Sequence, residues 1–135
     1  MTNYVYVLLD DRSPNMDSLI RQLKPYCADD IETHSSAGVE IVSMILDIGQ
    51  FALALIQLPY LYDMFSKKEI VVKFEGITMN DSVDDLLGIL KNNPTLLERA
   101  KTALQNSRIE IEGKGKAVDS FLEQLRSLID KEDAE

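Results

Sequence analysis

The stretch from Ile41 to Tyr62, IVSMILDIGQFALALIQLPYLY, holds 22 residues and a single charged side chain, Asp47. About 20 apolar residues suffice to cross the hydrocarbon of a bilayer as a helix, so the chain must put this segment in lipid, in its own core or against a partner. Asp47 argues against lipid, because a carboxylate deep in a bilayer costs roughly 2.5–3.5 kcal/mol on insertion scales. Gln50, Gln57 and Pro59 interrupt the apolar run further. Its flanks offer little cationic anchoring, with Glu40 before it and Lys67-Lys68 several residues after it. The expectation is therefore a long buried helix from about Ala37 to Phe65, capped by Ser36 and bent or broken at Gly49 and Pro59. A membrane-associated helix over residues 41–62 is the alternative.

The remaining segments have shorter periods. Tyr4 to Leu9 is apolar on both faces, which predicts a strand inside a covered sheet. Met16, Leu19, Ile20 and Leu23 follow helical spacing, and Pro25 closes that helix. Residues 27–36, CADDIETHSS, read as a loop or a brief edge strand around Ile31. Ile70, Val72 and Phe74 alternate with polar neighbours, as in a half-buried strand. Val83, Leu86, Leu87 and Leu90 predict a helix capped by Asp81 or Ser82. Asn93-Pro94 opens another, carrying Leu96, Leu97, Ala100, Ala103 and Leu104. RIEIE at 108–112 reads as a strand. Val118, Phe121, Leu122, Leu125, Leu128 and Ile129 then mark an amphipathic helix, with an acidic tail at 131–135. The sum is one α+β domain over residues 1–130: a small three- or four-stranded sheet packed with about five helices, one of them long, apolar and central.

Charge and residue counts narrow the function. With 14 basic and 23 acidic side chains the net charge is −9, whereas nucleic-acid binders gain affinity by neutralising phosphates, so no nucleic-acid partner is expected. One Cys allows no internal disulfide and one His no multi-histidine metal site. The N-terminus lacks a basic region before its short apolar run, so no signal peptide is expected, and a cytoplasmic location follows. Cys27 and His34 could form a nucleophile pair only with hydrogen-bond contact, an oxyanion site and a cleft, and no motif supplies these. The pairs Asp10-Asp11, Asp29-Asp30 and Asp84-Asp85 lack calcium-loop spacing and suit turns and helix starts. No cofactor is expected.

Two segments remain as candidates. Gly113, Lys114, Gly115 and Lys116 join a strand to a helix, a geometry that can offer free N–H groups and two cations to an anion such as a nucleotide phosphate. The segment lacks the Ser or Thr that closes a Walker loop, since Ala117 stands there, and a tight turn with solvated lysines is the plainer reading. In the apolar stretch, Gly49, Ala52 and Ala54 permit close approach of another backbone, either the chain's own sheet or a second copy. Phe51, Leu55 and Tyr62 would then belong to a contact surface or to the core beneath it, and a homo-oligomer is expected.

The order of elements resembles the effector-associated constant component domains, small accessory domains of bacterial conflict and signalling systems. The resemblance runs through YVYVLLDD and DSLIRQL, then VEIVSMILDIGQFALALIQLPYLY, KEIVVKFEG and IEIEGKGKAVDSFLEQL. It implies a non-catalytic adaptor that accompanies enzymatic effectors such as caspase-like proteases, with an effector or sensor protein as partner. It carries over no catalytic residue.

Overall fold

The apolar stretch changes secondary structure partway along. In the computed structural model, which describes residues 3–10, 16–107 and 115–133, Val39–Asp47 is a strand and the helix begins only at Ile48. The order is β1 (Tyr4–Asp10), α1 (Met16–Leu23), β2 (Glu32–Ser36), β3 (Val39–Asp47), α2 (Ile48–Gln57), α3 (Pro59–Ser66), β4 (Val71–Phe74), β5 (Ile77–Thr78), α4 (Ser82–Asn92), α5 (Pro94–Gln105) and α6 (Lys116–Asp133). The five strands form one antiparallel sheet in the order β2-β3-β1-β4-β5.

The expected single helix over 37–65 is thus three elements. Ser36 ends β2 rather than capping a helix, and Ala37 and Gly38 form a two-residue turn to β3 with φ of 51° and 78°. Positive φ at both positions is what a tight hairpin requires, and it stops a right-handed helix from starting there. Along β3, Val42, Met44 and Leu46 are buried while Ile41, Ser43 and Ile45 are half-buried. A strand apolar on both sides has no period-2 contrast in sequence, so it reads like buried helix. The expected break at Pro59 is present: α2 ends at Gln57, and Pro59 occupies the first turn of α3.

The strand count also exceeds the expected three or four. The polar edge strand is β2, and β5 pairs with β4 across Glu75 and Gly76, again both at positive φ (53° and 79°). The helices number six among the described residues. α6 runs through Lys131–Asp133, residues assigned from sequence to a tail. The expected strand at 108–112 lies outside the described residues.

One face of the sheet is covered by helices. Val5, Val7 and Leu9 of β1, with Val42, Met44, Leu46, Val72 and Phe74, point into a core shared with α1, α2 and α3. α2 lies at its centre, and Phe51, Ala52, Leu53, Ala54, Leu55 and Ile56 are all buried. α5 packs across α2, and α6 packs against α2, α4 and α5 as an outer layer. Phe51 meets Phe65 edge to face at 5.2 Å, and Tyr62 meets Phe121 at 5.7 Å.

Gly49 marks the tightest approach in this stack. A Cβ built there would lie 2.4 Å from the backbone oxygen of Arg99 and 2.7 Å from its carbonyl carbon. The small residue at position 49 therefore admits helix α5 of the same chain.

Candidate functional site: the open face of the sheet

Strand β1 is central in the sheet, yet helices among the described residues cover only one of its faces. Its alternate residues Tyr4 and Tyr6 are 43% and 45% exposed, and Val71 of β4 is 41% exposed. The expectation of a sheet covered on both sides is corrected accordingly. The pairing register shows how these residues lie together. Tyr6 sits between Ile45 of β3 and Lys73 of β4, and Leu8 sits between Ser43 and Val71. Ile41 stands beside Asp10 and His34. Period-2 alternation places all of these side chains on the face opposite Val5, Val7 and Leu9.

The centre of this face is mostly apolar, with Tyr6, Leu8, Ile45 and Val71 around Ser43, while Ile41 lies between Asp10 and His34. Polar groups stand toward its margins, with Glu32 and His34 on β2 and Lys73 on β4. His34 Nε2 lies 3.3 Å from Glu32 Oε2, and both side chains are well exposed. An apolar centre with a polar rim is the layout of a protein contact surface, and tyrosines supply large contact area with few rotors to immobilise.

At the end of the face, beyond Tyr4, a polar cleft of about 510 Å³ opens between Asp47, Gln50, Glu98, Arg99 and Thr102. Asp47 is fixed there by two contacts. Its Oδ1 accepts from the Gly49 backbone N–H at 2.9 Å, capping α2, and its Oδ2 accepts from Arg99 Nη1 at 2.6 Å. With the Asn3 amide oriented oxygen-inward, that oxygen accepts from Arg99 Nε at 3.2 Å and Nη2 at 3.0 Å. Arg99 therefore ties the start of β1 and the β3–α2 junction to helix α5. The one charge in the apolar stretch is a structural cap.

Asp47→Ala is expected to lower stability by about 1–2 kcal/mol, the sum of a lost cap and a partly exposed ion pair. Asp47→Asn keeps an oxygen for the cap and should recover about half of that loss. Urea unfolding followed by circular dichroism checks both.

The residues singled out from sequence fall elsewhere. Phe51 and Leu55 have no exposed surface and Tyr62 is 9% exposed, so all three belong to the chain's own core. Gly113 and Lys114 lie outside the described residues. Gly115 has φ of 117°, and Lys116, exposed, begins α6. Cys27 and His34 are not together: Cys27 bridges to Leu46 and His34 pairs with Ile41, five positions away along β3. At ~3.4 Å per residue that separation is roughly 17 Å, beyond any hydrogen bond.

Cys27 is half-buried, its Sγ donates to the Leu23 carbonyl at 3.4 Å, and burial pushes its thiol above the usual range. Burial likewise raises the Tyr26 hydroxyl, which donates to Gln57 Oε1. Tyr62 is raised by burial and by the nearby Asp84 carboxylate. Each shift favours the neutral, unreactive form.

Among the described residues no three His, Cys, Asp or Glu side chains gather as a metal site. No helix among them is long and apolar enough to cross a membrane. The open face was missed in sequence because Tyr4, Tyr6 and Leu8 look as apolar as their buried neighbours. The signal that could have found it is the pair of tyrosines at i and i+2, whose hydroxyls favour a wet surface over a sealed one. Comparison of the chain with protein-family models, with curated proteins and with solved structures finds no match.

Proposed function

We propose that this chain is a non-catalytic protein–protein interaction module whose contact surface is the open face of the sheet. The observation that carries this reading is the apolar centre formed by exposed Tyr6 and Val71 and half-buried Leu8 and Ile45, on a sheet whose other face packs against the helices along β1, β3 and β4. Leaving two tyrosines and a valine in water on a central part of a sheet forgoes burial worth about 25 cal/mol per Å². A partner that covers them recovers it. The resemblance to effector-associated constant component domains points the same way, toward an adaptor that couples a sensor to an effector in a bacterial conflict or signalling system. The reading assigns no catalysis, and it places the module in the cytoplasm.

Site-specific photo-crosslinking tests this. A photoreactive phenylalanine analogue in place of Tyr6 should give a discrete covalent protein adduct in cells expressing the chain. The same analogue at the exposed helical position Glu123 should give none. A blank result at Tyr6, or equal adducts at both positions, would remove the sheet face as the contact surface.

A further inference from the structure

We infer that the groove between the β4–β5 hairpin and helix α4 takes an extended peptide segment of another protein, added as a strand to β5. Apolar side chains of that segment enter the groove, and a lysine or arginine meets its acidic rim. This contact is separate from the open face and does not depend on it. Three features meet there.

The first is an open apolar slot of about 370 Å³. Phe74 and Met79 line it, both buried, together with half-buried Ile89 of α4. Ile77 stands beside them at 73% exposure, the most exposed large apolar side chain among the described residues. Its partner in the register is Phe74, so Ile77 projects on the face that the helices cover elsewhere. β5 is the last strand of the sheet, and α4 leaves a gap beside it instead of closing over it.

The second is a free strand edge. Phe74 and Ile77 close the two-residue turn, so each bonds to the other's backbone. Two residues on, Met79 donates its N–H to the Val72 carbonyl at 2.9 Å. Between these bonded pairs Thr78 stands opposite Lys73 and turns its own N–H and C=O away from β4, to the outside of the sheet. A residue of an incoming antiparallel strand set opposite Thr78 can exchange both bonds. Its two neighbours then place their side chains on the face of Ile77 and Met79, over the groove. Main-chain bonds hold such a strand, and the pockets beside it select its side chains.

The third is charge. Glu75 at the hairpin turn and Asp85 in the first turn of α4 line the groove, and no Lys, Arg or His lines it. Neither carboxylate is held in an ion pair among the described residues, and Asp85 Oδ2 accepts from the Asp81 backbone N–H at 2.9 Å. An apolar slot with an unneutralised acidic rim favours cations beside apolar side chains and rejects an acidic segment. In the added strand, the residues three places either side of the one opposite Thr78 fall on the groove side again. The recognised pattern is therefore cation, apolar, apolar, cation at alternate positions.

The heptapeptide Lys-Thr-Ile-Thr-Ile-Thr-Lys, capped at both ends and fluorescently labelled, is the probe. Anisotropy is read as the full chain is titrated to about 1 mM, the range of a short, weak contact. The expected result is saturable binding at least about tenfold tighter than that of the counterpart with glutamate at both ends. Ile77→Ser should weaken binding about fivefold or more and leave the thermal midpoint of the chain nearly unchanged, because that side chain stands in water. Glu75→Gln combined with Asp85→Asn should erase the preference for lysine over glutamate. N-methylation of the peptide's central threonine removes the donor to the Thr78 carbonyl and should weaken binding at least about threefold.

No saturable binding of the lysine peptide overturns the inference. Binding indifferent to Ile77→Ser and to N-methylation overturns it too, since it then reflects only the attraction of a cation to a chain of net charge −9. Either outcome leaves the reading of the open face as it stands.

Discussion

Leu55→Asp is expected to leave no cooperatively folded protein. Leu55 has no exposed surface and sits on α2, the helix enclosed by the sheet on one side and by α5 and α6 on the other. Truncating a buried leucine already costs about 2–5 kcal/mol. A carboxylate in its place adds several kcal/mol of desolvation with no partner to offset it. Together these reach the total stability of an ordinary domain, about 5–15 kcal/mol. Leu55→Ala is expected to fold but to lose about 2–5 kcal/mol in urea titration. A soluble Leu55→Asp protein with an undiminished unfolding midpoint would show that α2 is not the core of this fold.

Gly49→Ala and Gly88→Ala are expected to change stability in opposite directions. Alanine exceeds glycine in helix interiors by about 0.5–1 kcal/mol, and at Gly88 on α4 an added Cβ meets nothing within 4 Å. Gly88→Ala should therefore stabilise by about that amount. At Gly49 the same methyl group would lie 2.4 Å from the Arg99 backbone oxygen. A backbone carbonyl inside α5 cannot rotate away as a side chain can, so α2 and α5 must separate. The expected loss is about 2–3 kcal/mol, and separation of the helices would also stretch the Asp47–Arg99 contact. Thermal unfolding of the two variants side by side reads the sign directly. A stabilising Gly49→Ala would mean that α2 and α5 are not in backbone contact.

Much of the architecture was legible because most elements carry a distinct period or a clear boundary residue. The Asn93-Pro94 start of α5, the stripe of α6 and the alternation at Ile70, Val72 and Phe74 all agree with the structure. Two kinds of feature were not legible. The first is the β3–α2 junction, where Val42, Met44 and Leu46 run into Ile48 and Phe51 with no polar contrast. Asp47 marks that boundary as a helix cap, but within an apolar run it looked like an interruption. Its role depends on Arg99, 52 residues away. The second is the pair of hairpins. Their turns are Ala37-Gly38 and Glu75-Gly76, and neither begins with the Asn or Asp that usually signals positive φ.

The candidate site was hidden for a related reason. Side-chain chemistry distinguishes apolar from polar, but it does not say which apolar face of a strand the helices will cover. Phe51, Leu55 and Tyr62 stood out because their segment is the most apolar in the chain, and that same property sends them to the core. The face left open belongs to β1, β3 and β4, whose residues appear apolar one by one and form a patch only when the register sets Tyr6 beside Ile45 and Leu8 beside Val71.

The most direct test of the open face as the contact surface is a scan of the photoreactive phenylalanine analogue over Tyr6 and Val71 on that face and over the exposed helical positions Lys91 on α4 and Glu123 on α6, in cells expressing the chain. The account predicts discrete protein adducts from Tyr6 and Val71 and none from Lys91 and Glu123. Adducts confined to the helical positions, or none from any position, would contradict it.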